Sequence, residues 1–172
     1  MEYICGVTFA PFACAGTFKK PGARESLAMM KERTGANFVI FVPGGLQETP
    51  QSEEICFTSK ATMEDDELIE MIKYAKETGL RVALKPTVNC KNGTWRAHIN
   101  FFDEDVPCEP KWENWFASYT AFQLHYAKIA EAYGCEMFIA GCEMVMSEHR
   151  EQEWRKLLSD IREVYYGLLS YN

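Results

Sequence analysis

Glu143 stands where an apolar run stops. In Ala140-Gly141-Cys142-Glu143-Met144-Val145 a carboxylate follows the strand-like stretch CEMFIAG (135–141), so a buried strand delivers an acid to its own end. A carboxylic acid at the mouth of a dry, apolar strand end is expected to have a raised pKa, as a general acid near neutrality needs. Other strand-like runs end in comparable chemistry: Lys85 and Pro86 close the third, Gln47 and Glu48 follow the second, and the loop NGTWR carries Trp95 and Arg96. A tryptophan offers a flat apolar face to a sugar ring, while Lys, Arg and Gln direct hydrogen bonds to hydroxyls or to another carboxylate. These residue types point to a carbohydrate.

Each has a plainer reading. By position alone Glu143 equally fits a solvated acid at the start of a helix, favoured by the helix dipole. Trp95 fits a lid over the core, and Lys85 fits a side chain snorkelling along the sheet end. The acidic run at 64–67 fits the charges of a helix start, and His149 lacks a Cys or His partner at ligand spacing, so no metal site is expected.

Composition narrows the class. With 172 residues, 47% hydrophobic and 13% aromatic, the chain is expected to form one domain over residues 1–172. A formal charge of -7, from 25 acidic and 18 basic residues, argues against nucleic acid and against an anionic membrane. Seven cysteines, an odd number without CxxC spacing, read as reduced thiols and a cytoplasmic setting. The start MEYICGVTFAPF lacks a basic segment followed by a long apolar core, so no leader is expected. There is no GxGxxG or GxxxxGK[ST], and no cofactor is expected.

The elements that must position these residues repeat one pattern. Four runs, YICGVTFAPF, NFVIFV, RVALKPTV and CEMFIAG, are each followed by a loop and a segment of helical period. The second helix is expected to open on a capping box, Thr62-x-x-Asp65, with Leu68, Ile69, Ile72 and Ala75 on one face. The third carries aromatic residues from Trp112 to Tyr133 at spacings of three and four, the fourth Trp154, Leu157, Leu158, Ile161 and Tyr165. Gly35, Gly79 and Gly134 supply tight helix-to-strand turns. The strand-to-helix loops are long, and in parallel α/β folds those loops hold the site. Four such units fit either an open doubly wound sheet or half of a (β/α)8 barrel.

The ordered set GVTFAPF, GANFVIFVPGGLQET, GLRVALKPTV, GTWRAHI, WFASYTAF, FIAGCEM and WRKLLSDIREVYYGLLSYN resembles the N-terminal half of glycoside hydrolase family 113. These are retaining β-mannanase-type enzymes of the clan of (β/α)8 glycosidases. The resemblance implies an α/β fold of TIM-barrel type, of which this chain covers the first four β/α units and the start of a fifth strand. It implies a β-linked oligo- or polysaccharide as substrate and Glu143 as the acid/base at the end of strand four. Lys85, Trp95, Arg96 and Gln47 match positions around the substrate cleft. Cys142 stands where many clan relatives have an Asn that binds the sugar 2-hydroxyl, which leaves the choice between mannose and other sugars open.

Retaining hydrolysis needs a second carboxylate about 5–5.5 Å from the first. In the resembled family it comes from strand seven, outside these residues, and Glu48 in that role would be an unusual solution. The chain is therefore expected to be a half barrel whose open sheet edges leave it a fragment or pair it with a second half, including a second copy in a homodimer. The alternative is a non-catalytic half barrel that binds carbohydrate.

Overall fold

Apolar runs without polar alternation need cover on both faces, and they become the inner strands of a parallel sheet. The protein is seen here as a computed structural model that describes residues 3–172; Met1 and Glu2, where the segment read for a leader begins, lie outside them. In chain order the first unit is β1 (Gly6–Phe9) and α1 (Pro21–Thr34). The second is β2 (Phe38–Phe41), a short β3 (Gly44–Gln47) and α2 (Asp65–Glu77). The third is β4 (Arg81–Leu84), β5 (Thr87–Cys90) and α3 (Trp112–Ala132), and the fourth is β6 (Met137–Ile139) and α4 (Glu151–Arg162). A last strand, β7, spans Leu168–Ser170.

The order across the sheet is β1-β2-β4-β6-β7, all parallel. Each β/α unit adds to the same edge without reversal, whereas a doubly wound sheet reverses at its switch point. Right-handed crossovers then place every helix on one side of the sheet. This is barrel winding, and the expected half barrel of TIM type is what the strands form.

Two prolines shape the strand ends. A proline has no N–H for the ladder, so the pairing of β2 with β4 stops at Pro43 and Pro86 and resumes beyond them. Lys85 donates its N–H to the carbonyl of Phe41 at 2.9 Å and Thr87 to that of Pro43 at 3.0 Å. From there β3 and β5 run parallel, with Gly44 opposite Thr87 and Gln47 opposite Cys90. Lys85-Pro86 thus closes β4, as expected, and a short second strand, β5, follows it. Gly45 is pressed against α3, since a Cβ there would lie 2.7 Å from Ile55 Cγ2 and 3.0 Å from Phe122.

The helices carry the core on their sheet side. Trp115, Tyr119, Phe122 and Tyr126 of α3 are buried, and the rings of Trp115 and Tyr119 stack at 4.7 Å. Gly35, Gly79 and Gly134 adopt positive φ at the helix ends, as their spacing implied. The capping box lies two residues further along than expected. Helix α2 begins at Asp65, the Glu64 N–H donates to Glu67 Oε1 at 2.9 Å, and the Thr62 hydroxyl donates instead to the Ser59 carbonyl. Glu67 is buried because it also accepts the N–H groups of Gly16 and Phe18, tying the loop after β1 to α2. Among the described residues no helix is long and apolar enough to cross a membrane.

Candidate active site

Strand periodicity decides which side chains reach the site. Successive residues of a strand point to opposite faces, and alternate positions past the strand ends line one cleft: Thr8, Ala10 and Phe12; Val42, Gly44 and Leu46; Lys85, Thr87 and Asn89. With Arg96, Cys142 and Glu143 they enclose about 290 Å³ at the carboxyl end of the sheet.

Glu143 enters this cleft from a strained turn. Gly141 has φ 146° and Glu143 has φ 57°, the left-handed region that an L residue rarely occupies. The turn is tied to the end of β7: Glu143 donates its N–H to the Asn172 carbonyl at 3.0 Å, and Asn172 donates to the Gly141 carbonyl at 3.1 Å. Two donors meet on Glu143 Oε2, the Trp95 indole Nε1 at 3.0 Å and Arg96 Nη1 at 2.5 Å. Arg96 is itself held, by Nε to the Val88 carbonyl at 2.9 Å and by Nη2 to Asn89 Oδ1 at 2.7 Å.

These donors settle the direction of the carboxyl's pKa. The Trp95 hydrogen bond is the largest influence, followed among the lowering ones by the Arg96 charge, the Arg96 hydrogen bond and Lys85, and together they hold Glu143 below the ordinary glutamate range against its modest desolvation. The expected rise does not occur. Glu143 leaves an apolar strand, but its carboxylate sits among polar donors with 46% of its side chain exposed.

The other candidates divide. Lys85 lines the cleft and donates to Asn172 Oδ1 at 3.0 Å. Trp95 is 52% exposed, with its indole N–H turned to Glu143. Cys142 reaches the cleft wall from a buried position, its Sγ 3.8 Å from Asn172 Oδ1. Gln47 is a correction: it is 1% exposed, accepts the Trp115 indole N–H at 3.0 Å and donates to the carbonyls of Thr49 and Ser52. In β3 it has the phase opposite to Leu46 and so faces the helices. Glu48 is outside the cleft lining and pairs with Lys91 at 2.5 Å.

Asn89, Tyr171 and Asn172 were missed. Asn89 had a signal, because in TVNC the polar Thr87 and Asn89 alternate with the apolar Val88 and Cys90. Tyr171 and Asn172 had none, since their partners lie far back in the chain, near residue 143 and, for Asn172, also at Lys85.

A carboxylate, a guanidinium and an ammonium at the ends of parallel strands wound without reversal define part of a (β/α)8 barrel with its site on the carboxyl face. The chain belongs to Glycoside Hydrolase Family 113, whose family model matches residues 7–172. Among solved structures, a GH113 β-1,4-mannanase determined as a complex is 55% identical with a TM-score of 0.98, over 100% of this chain and 56% of that one. The GH113 β-mannanase AaManA from Alicyclobacillus acidocaldarius, in complex with ManMIm, is 41% identical with a TM-score of 0.94, over 100% and 55%. A GH5_18 structure from Bifidobacterium longum shares the fold alone, at 15% identity and a TM-score of 0.52 over 97% and 43%. No curated protein matches the chain. The chain thus spans just over half the length of the mannanases that it resembles.

Proposed function

We propose that this chain, acting as one (β/α)4 unit, is the acid/base half of a retaining glycosidase that cleaves β-1,4-linked mannan, with Glu143 as proton donor and then as base. The observation that carries the proposal is Glu143 itself, the one carboxylate among the residues lining the cleft, aimed by Trp95 and Arg96. In the free site Glu143 is ionised, the form that takes a proton from water in the second half of a retaining cycle. To act first as an acid it must gain a proton. Two effects favour that gain: substrate expels water from the cleft, and a second, ionised carboxylate raises the pKa of its neighbour.

The charge balance suits such a second carboxylate. Lys85 and Arg96 against Glu143 leave one net positive charge in the cleft, which another carboxylate neutralises. Its source is assigned to the part of the fold that the longer relatives have and this chain does not span. The half-exposed Trp95 ring offers a face to a sugar, and Lys85 and Arg96 supply donors for hydroxyls. Cys142, a weak donor, makes a poorer partner for a 2-hydroxyl than an amide does.

The test is reducing-sugar release from soluble β-1,4-mannan by the chain beside its Glu143→Gln variant. General acid–base catalysis contributes roughly 10²–10⁴-fold, and a loss of that order is expected. Equal and measurable turnover by the two proteins removes Glu143 from the acid/base role, whereas no release by either means that the second carboxylate has to be supplied from outside the chain.

A second reading is favoured by the exposure of Trp95: a half barrel that binds mannooligosaccharide without cleaving it. Titration then shows binding that vanishes in Trp95→Ala, with no bond broken in either protein. In this reading the chain also pairs with another half, or with its own copy, through the outer edges of β1 and β7.

A further inference from the structure

We propose that Tyr171 is a positioning residue for Glu143: its hydroxyl, anchored by Glu148, holds the backbone of the Glu143 turn in the left-handed form that brings the carboxylate to Trp95 and Arg96. The proposal rests on the acid/base reading of Glu143 given above.

A left-handed non-glycine residue persists only where surrounding contacts over-determine it. Here the contacts come from the segment after β7. The Met144 N–H, immediately after Glu143, donates to the Tyr171 hydroxyl at 2.9 Å. A hydroxyl has one proton, and that of Tyr171 goes to Glu148 Oε1 at 2.7 Å. Glu148 thus orients the phenol so that a lone pair faces Met144. The ring is fixed as well. It lies against Gly141, where a Cβ would come within 2.8 Å of Tyr171 Cε2, and it meets Trp154 edge-on at 5.6 Å. Glycine at 141 leaves room for the ring, and the ring in turn limits where the next two residues go. Tyr171 is outside the cleft lining, so its action on the site runs through the turn.

The Trp95 indole N–H donates to Glu143 and makes a spectroscopic reporter independent of turnover. The experiment follows the Trp95 indole resonance in ¹⁵N–¹H NMR spectra across pH, in wild type, Tyr171→Phe and Glu148→Gln, each checked for an unchanged melting temperature. Tyr171→Phe keeps the ring and removes the hydroxyl. The midpoint reported by Trp95 is expected to rise by about 0.4–1 pH unit, the equivalent of one ordinary hydrogen bond. Mannan turnover falls roughly 2- to 12-fold through kcat with KM unchanged. Glu148→Gln retains an acceptor for the phenol and stays near wild type. A Trp95 midpoint that is the same in Tyr171→Phe and wild type overturns the proposal. Where the wild-type chain cleaves mannan and Tyr171→Phe cleaves it equally well while the midpoint still moves, the positioning role stands and the acid/base reading fails.

Discussion

Glu143 has its pKa lowered by neighbours more than 40 residues away in the chain, and that sets its response to pH. Its pKa is depressed in the folded protein, first by the Trp95 hydrogen bond. The associated stabilisation is therefore fully present above the ordinary glutamate value and is lost as pH falls through the lower folded value. Nearly half of the side chain is exposed, so solvent screening keeps that contribution small. Trp95→Phe, which removes the indole donor, should move the Glu143 titration upward toward the ordinary range in carboxyl ¹³C NMR. An unmoved midpoint rules out the indole as the main cause. Gln47 illustrates the opposite case, a polar side chain buried for structure. Gln47→Leu strands the Trp115 indole N–H and should cost about 1–3 kcal/mol in denaturant unfolding, while mannooligosaccharide affinity stays at the wild-type value.

At the scale of elements, proline and glycine do most of the placing. Pro43 and Pro86 interrupt the ladder, and the strands that resume beyond them project Leu46 and Asn89 into the cleft. Gly141 serves the β6 exit in another way, by combining a positive φ with the close approach of the Tyr171 ring. Gly141→Ala is strained on both counts and should destabilise the protein by about 1–3 kcal/mol. A melting temperature equal to wild type would show that the turn relaxes freely. Glu67 plays a similar part at the opening of α2, where it accepts three backbone N–H groups. In Glu67→Gln the loop after β1 should exchange its amide hydrogens faster, Gly16 and Phe18 first.

The molecule as a whole is an arc of sheet with helices on its outer side and strands β1 and β7 at its edges. Apolar side chains near those edges, Ile4 and Leu168 among them, are exposed in the chain by itself. Unpaired edges of this kind recruit further strands. Pairing of two copies should appear in sedimentation equilibrium as a mass that rises with concentration, and Leu168→Lys should return it to the monomer value. A monomer at every concentration would exclude the homodimer.

Local signals made much of this legible. The alternation of strand and helix, the glycine ends of three helices and the aromatic stripe of α3 all follow from neighbours within a few residues, and a helix or strand responds to those neighbours directly. They also placed Glu143, Lys85, Trp95 and Arg96 near strand ends. Tertiary structure alone decided what these residues meet there. Where the ladder restarts after Pro43 fixed the phase of β3 and turned Gln47 inward. The loop after β5 brought Trp95 and Arg96 onto Glu143 and reversed the expected direction of its pKa. The end of β7 brought Asn172 to Lys85 and Tyr171 to the Glu143 turn, across 87 and 27 residues of chain. Burial and electrostatics sum over everything nearby in space, and proximity across such distances is set by the fold.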